Sequence, residues 1–242
     1  GCKKLSQSDC QSSNDRRNYV VLCKGGIAVK GLLIKDFLTI KKKYGVPRLI
    51  MDVAIIIALM IILGGTGAIY ISFLLIPMEV ASMVMSLTTC DEQWKWGKYA
   101  ISLPVSKTQI VKSRYAFALI LSLVGFAVAL GVNTISFICF PAYRFGFYVF
   151  LSIASLGVTL LFLSFILPSN YSLGVNAGFA AMIIMVILLI ILGIWSKLTN
   201  NAIMWFVVEH FELSMVITFV GVAILFVLSY ALSVSFFKRK HT

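Results

Sequence analysis

Long apolar runs alternate with short polar ones along most of this 242-residue chain. Read by length and composition, they predict membrane-crossing helices at Arg48–Leu63, Ala68–Leu87, Arg114–Ile135, Phe147–Leu167, Val175–Trp195 and Leu213–Phe236. A bilayer core takes about 20 apolar residues per helix, so the first of these is short. The first two form one apolar stretch divided only at Gly64-Gly65-Thr66-Gly67, and glycines at that density suit a tight turn. The rival reading is a single long kinked helix, which would invert everything after it.

The basic residues decide between the two. With six spans, both chain ends lie on one side, together with Lys30, Lys35, Lys41, Lys42, Lys43, Arg48, Lys95, Lys98, Lys107, Lys112, Arg114, Lys238, Arg239 and Lys240. Between the first and last spans the other side holds only Arg144 and Lys197. Cytoplasmic loops carry the excess of Lys and Arg, so six spans with cytoplasmic termini are expected, in a bacterial inner membrane. Trp94, Trp96, Tyr99, Tyr143, Tyr148, Trp195 and Trp205 fall near the expected interfaces. The outer loop Ser196–Glu212 has the composition of a short amphipathic or packed helix.

Residues 29–47 read as an interfacial element. Within them Lys30–Tyr44 places Leu33, Phe37, Ile40 and Tyr44 on one helical face, with Lys35, Lys42 and Lys43 largely elsewhere. Residues 1–28 are polar and carry no apolar core of a signal peptide. Lys24-Gly25-Gly26 is compatible with a ribosome-binding site just ahead of a GTG start at Val29. Residues 1–28 are therefore expected to be a translated leader, with a disordered cytoplasmic tail as the alternative. Recovery of any Leu5–Cys23 peptide from the native protein would exclude the leader. Residues 48–242 form the membrane domain.

Composition supports the class. The chain is 60% hydrophobic and 12% charged, whereas soluble domains are roughly half apolar and a quarter charged. A soluble helical protein of this size would have no core able to absorb such runs. The net charge of +12 would point to nucleic acid in a soluble protein. Here the bases sit beside apolar segments, as expected for anionic headgroups, and no nucleic-acid partner is implied. Cys2, Cys10, Cys23, Cys90 and Cys139 have neither disulfide nor metal-site spacing with His210 or His241.

One charged stretch interrupts the apolar pattern, "DEQWKWGKYAISLPVSKTQIVKSRY" over 91–115. Thr89-Cys90-Asp91-Glu92 has the form of a capping box, and acids suit a first helical turn. A new helix is expected from about Cys90 to Leu103-Pro104, where proline ends it. Ser106-Lys107-Thr108-Gln109 offers a second capping box leading into span three. The pattern fits a braced helix for docking a soluble partner, or a plain solvated loop.

"KGLLIKDF", the 91–115 stretch and "LPSNYSLGVNAG" resemble the permease subunits of ABC-2-type exporters, most nearly the small bacterial branch that includes phenol-soluble modulin exporters. That branch carries D-E-x-x-x-W-x-x-Y-x-x-S-L-P-V-S-R/K after its second span. Here Asp91, Glu92, Trp94 or Trp96, Lys98-Tyr99-Ala100 and Ser102-Leu103-Pro104-Val105-Ser106-Lys107 follow that order. Val175-Asn176-Ala177-Gly178 is neutral where the family often carries charge. The resemblance runs from Val29 to about Arg239. It implies an all-α, six-span subunit paired with a second permease, and separate cytoplasmic ATPases that bind ATP and magnesium. It also implies a coupling helix in which Asp91, Glu92, Trp94, Trp96, Lys98, Tyr99, Ser102, Leu103 and Pro104 dock the ATPase.

The chain has no phosphate loop, so ATP hydrolysis is not expected here, and no cofactor or metal is implied. It has no G-x-S-x-G or H-E-x-x-H signature, and it is read as a transport subunit and not an enzyme. Glu79 is the one acid well inside a predicted span, so it should face protein or water. It is a candidate for the translocation path or dimer seam, against a structural carboxyl beside Pro77. Asp52 is read as a partner of Arg48 at helical spacing. The expected function is an exporter permease for an amphipathic or hydrophobic substrate such as a peptide, antimicrobial or drug. The alternative is an ATP-independent secondary carrier or peptide-immunity protein.

Overall fold

The computed structural model describes residues 31–64, 67–96, 106–141, 144–198 and 211–240, and every element among them is helical. Helix α1 covers 31–43. It is followed by α2 (Val46–Leu63), α3 (Gly67–Gln93), α4 (Lys107–Cys139), α5 (Phe145–Leu173), α6 (Val175–Leu198) and α7 (Phe211–Lys240). Five of these are long and apolar enough to cross a membrane, and α2 contributes a shorter apolar helix, Ile50–Leu63. All the expected spans are therefore present as helices in a multi-pass membrane protein.

The glycine turn divides the first two. Helix α2 stops at Leu63, and Gly64 takes a φ of 56°, a conformation open to glycine at little cost. The chain then returns antiparallel. Met60 packs on Ile71 and Ile76, and Arg48 meets Glu79 far from the turn. A Cβ on Gly67 would lie 3.0 Å from the Leu59 carbonyl oxygen, so the hairpin closes against bare backbone. The single kinked helix is excluded.

Helix α3 is continuous but not uniform. Ile71–Leu75 is a π turn, in which the Ile76 N–H bonds the Ile71 carbonyl. Pro77 is the cause: it lacks an N–H for the Phe73 carbonyl, and its ring would crowd that carbonyl in a regular helix. Beyond it, Val80 and Val84 join Val111, Tyr115, Leu163, Leu167 and Phe237 in one core cluster. Ala81 and Met85, on an adjacent face, join Phe162, Ile166, Val175 and Met182 in a second.

Helix α5 is the hub, packing on α3, α4, α6 and α7. Half of the apolar window of α3 and of α5 is buried, against 11% for α6. Helix α6 therefore shows most of its surface to whatever surrounds the bundle. Glycine sets two close approaches. A Cβ on Gly125 would lie 2.9 Å from Val80 Cγ2, and one on Gly178 would lie 1.8 Å from Asn170 Oδ1.

Three expectations change in detail. Helix α5 runs through Pro168 to Leu173 and stops at Gly174, whose φ is 91°. Proline at that point is tolerated because neighbouring helices hold the turn. Tyr148, in the first turn of α5, is buried against protein, its hydroxyl donating to the Phe140 carbonyl at 3.1 Å. On α1 the expected apolar face is rotated. Leu32 and Asp36 are buried, Leu33, Ile40 and Tyr44 are half-buried, and Phe37 is exposed.

Candidate functional site: an ion network at the basic end

Where α1, α3 and α4 meet, two acids and two bases share one site. Lys35 Nζ lies 2.8 Å from Asp91 Oδ1 and 3.2 Å from Asp36 Oδ1. Arg114 Nη1 lies 3.5 Å from Asp36 Oδ2, and Arg114 Nη2 bonds Asp91 Oδ2. The charges sum to zero. Asp36, Asp91 and Arg114 each keep at most 13% of their side-chain surface exposed. Burial pushes the Asp36 carboxyl above the usual carboxylate range, opposed by Arg114 and Lys35.

Each member is placed by its helix. Asp36 is one turn beyond Leu32 on the inward face of α1. Asp91 lies near the last residue of α3. Arg114 is two turns into α4, which starts with a complete capping box. Ser106 Oγ accepts from the Gln109 N–H at 3.3 Å, and Gln109 Oε1 accepts from the Ser106 N–H at 3.1 Å. That box was legible in the sequence. The one read at Thr89 does not form, because Thr89 lies inside α3 and its hydroxyl donates to the Met85 carbonyl. No new helix begins at Cys90. Helix α3 continues to Gln93, and the chain turns at Trp94 and Lys95, the latter with a φ of 51°.

The expected docking residues thus divide. Asp91 is held inside the network. Glu92 Oε1 accepts from the backbone N–H of Val175, at the start of α6, at 3.0 Å. Trp94 is 56% exposed. Lys35 Nζ sits over the Trp96 ring, 4.1 Å from its centre. Lys98, Tyr99, Ser102, Leu103 and Pro104 lie outside the described residues, as do Tyr143 and Trp205. Further contacts widen the junction. The Tyr115 hydroxyl pairs with Ser229 and Ser233 of α7, each at 2.7 Å. The Trp94–Trp96 corner thus adjoins contacts to α1, α4 and α6.

Glu79 lies farther along α3. Arg48 Nη2 donates to both its carboxylate oxygens, at 3.1 and 3.2 Å, while Arg48 Nε lies 3.3 Å from Asp52 Oδ1. Arg48 thus serves the expected Asp52 and also Glu79, a contact the sequence reading missed. Tyr44 adds hydroxyl contacts to Ser82 and Ser86, each at 3.2 Å. Sequence reasoning also missed Asp36. The available signal was its position on α1 opposite Ile34, Phe37 and Leu38.

A family model described as ABC-2 family transporter protein matches residues 31–238. The chain belongs to this family. The match takes in α1, all the apolar helices and the ion network, and makes the protein an ABC-2-type permease by membership. No curated protein and no solved structure matches the chain. Among the described residues no cluster of His, Cys, Asp or Glu is suited to a metal ion in this permease, and Cys90 and Cys139 are free thiols.

Proposed function

We propose that this permease is the membrane subunit of an exporter driven by a separate cytoplasmic ATPase, and that the ion network carries motion from the ATPase to the spans. The reading rests chiefly on one observation. The root of the 91–104 segment is tied to α1 and α4 through Asp91 and to α6 through Glu92. A plain solvated loop has no need of buried ion pairs at its root. On this reading Trp94 and residues 96–104 contact the ATPase. Asp91 and Glu92 transmit the push, and ATP with magnesium stays on the partner. The concentration of bases at this end supports a cytoplasmic position for it and for both termini.

A second permease completes the pathway. The cargo is an amphipathic or hydrophobic compound, consistent with the resemblance to the phenol-soluble modulin branch. Glu79, half open beside Arg48, is the candidate polar point on the path or seam.

The test is mild-detergent co-purification of the tagged protein from its host. Wild type should capture a Walker-type ATPase. Trp94→Ala should lose it without unfolding. Arg114→Gln should retain it but uncouple ATP turnover from cargo. Failure of folded wild type to capture any ATPase would overturn the reading in favour of an ATP-independent protein.

A further inference from the structure

Helix α1 carries apolar residues on its outward as well as its anchored face. Its anchored face carries Asp36, the one acid in residues 31–43, at 2% exposure. Its outward face carries Ile34, Phe37 and Leu38, at 60%, 63% and 56% exposure. The positions i, i+3 and i+4 form one stripe, and Lys41, exposed, extends it by another turn. Lys42, also exposed, lies beside it. Leu32 is buried on the anchored face beside Asp36, so Ile34, Phe37 and Leu38 form a second apolar face, one that the described residues leave uncovered.

Depth identifies what lies against that face. Helix α3 has 27 residues, about 40 Å at 1.5 Å per residue, against a hydrocarbon core of about 30 Å. Its last turns therefore emerge at headgroup level, and α1 is pinned there by the Lys35–Asp91 pair. Ile50 and Met51, in the first turns of α2, are exposed apolar side chains as well. The cations at the end of the stripe match a negatively charged headgroup layer.

We infer that α1 is an anionic-phospholipid binding element. Ile34, Phe37 and Leu38 enter the boundary between headgroups and acyl chains, and Lys41 and Lys42 hold the charged headgroups. The opposite face of the same helix carries Lys35 and Asp36 into the ion network. Lipid charge therefore bears on how firmly that network is seated. The inference needs only the membrane location and does not depend on an ATPase partner.

The test uses the full chain in nanodiscs of phosphatidylcholine alone or mixed with phosphatidylglycerol. Hydrogen exchange over residues 31–43 should be slower in the mixed discs. Spin-labelled phosphatidylglycerol should be retained in preference to phosphatidylcholine, and that preference should fall about fivefold per lysine removed in Lys41→Gln and Lys42→Gln. Phe37→Asp should speed exchange in both lipids while the bundle stays protected. Equal exchange and equal lipid retention in the two discs would overturn the inference. So would protection that appears only when the ATPase or a second copy of the chain is added, which would make the stripe a protein interface.

Discussion

Glu92 and Val175 are 83 residues apart in sequence and joined by one hydrogen bond of 3.0 Å, from the N–H that opens α6 to a carboxylate at the end of α3. The first N–H groups of a helix have no partner within it, and its positive end favours an anion. A side chain from another helix supplies both.

Glu92→Ala should cost about 1 kcal/mol by losing this cap. Gly174→Ala should cost more, because its φ of 91° disfavours a side chain and the new Cβ would sit 3.2 Å from Glu92 Oε1. Thermal unfolding in detergent, compared with wild type, measures both.

Gly178→Ala should be destabilising by about 1–3 kcal/mol through overpacking. The added methyl would fall 1.8 Å from Asn170 Oδ1 and 2.9 Å from Met85 Sδ. Asn170 would have to rotate away and give up its 3.3 Å contact with Met85. Asn170→Ala in the same chain should recover part of the loss, and a double-mutant cycle measures how much.

Arg114→Gln removes the cation shared by Asp36 and Asp91. Stripping one partner from a buried ion pair costs about 3–5 kcal/mol, since the remaining charge stays uncompensated. Adding Asp91→Asn restores charge balance with Lys35 and should return a measurable part of the stability. If Arg114→Gln melts like wild type, the network contributes nothing to the fold.

Asp36 has its pKa raised by burial above the ordinary carboxylate value of 3.8. The folded chain therefore holds this proton at a higher pH than the unfolded chain does. The stabilisation from protonated Asp36 is full below pH 3.8 and is lost as pH rises through the raised folded value. Wild-type stability relative to Asp36→Asn should fall across that window and run parallel above it. Melting curves for the two proteins over an acid series test the sign. A relative stability that rises with pH would refute it.

Apolar runs made the helices legible, because a span must satisfy its own backbone and be greasy along its length. The contrast between the two capping boxes shows where local pattern stops. Ser106 has extended backbone and caps the helix that follows, whereas Thr89 has the same spacing but lies within a helix already running. Only the backbone conformation at the residue itself distinguishes them. The ion network was hidden for a related reason. Arg48 and Asp52 are neighbours on one helix, so their pairing is visible in sequence. Asp36, Asp91 and Arg114 come from three helices, and nothing local joins them. The rotated face of α1 follows from that network, since pulling Asp36 inward turns Phe37 outward.

The shortness of the first apolar helix has a consequence for the membrane itself. Ile50–Leu63 spans about 21 Å, well under the roughly 30 Å of a bilayer's hydrocarbon. A short apolar helix is met by local thinning of the bilayer, by snorkelling of flanking side chains or by association with another helix. Arg48, which reaches Asp52 and Glu79 from the basic end of this hairpin, is placed to serve the second of these.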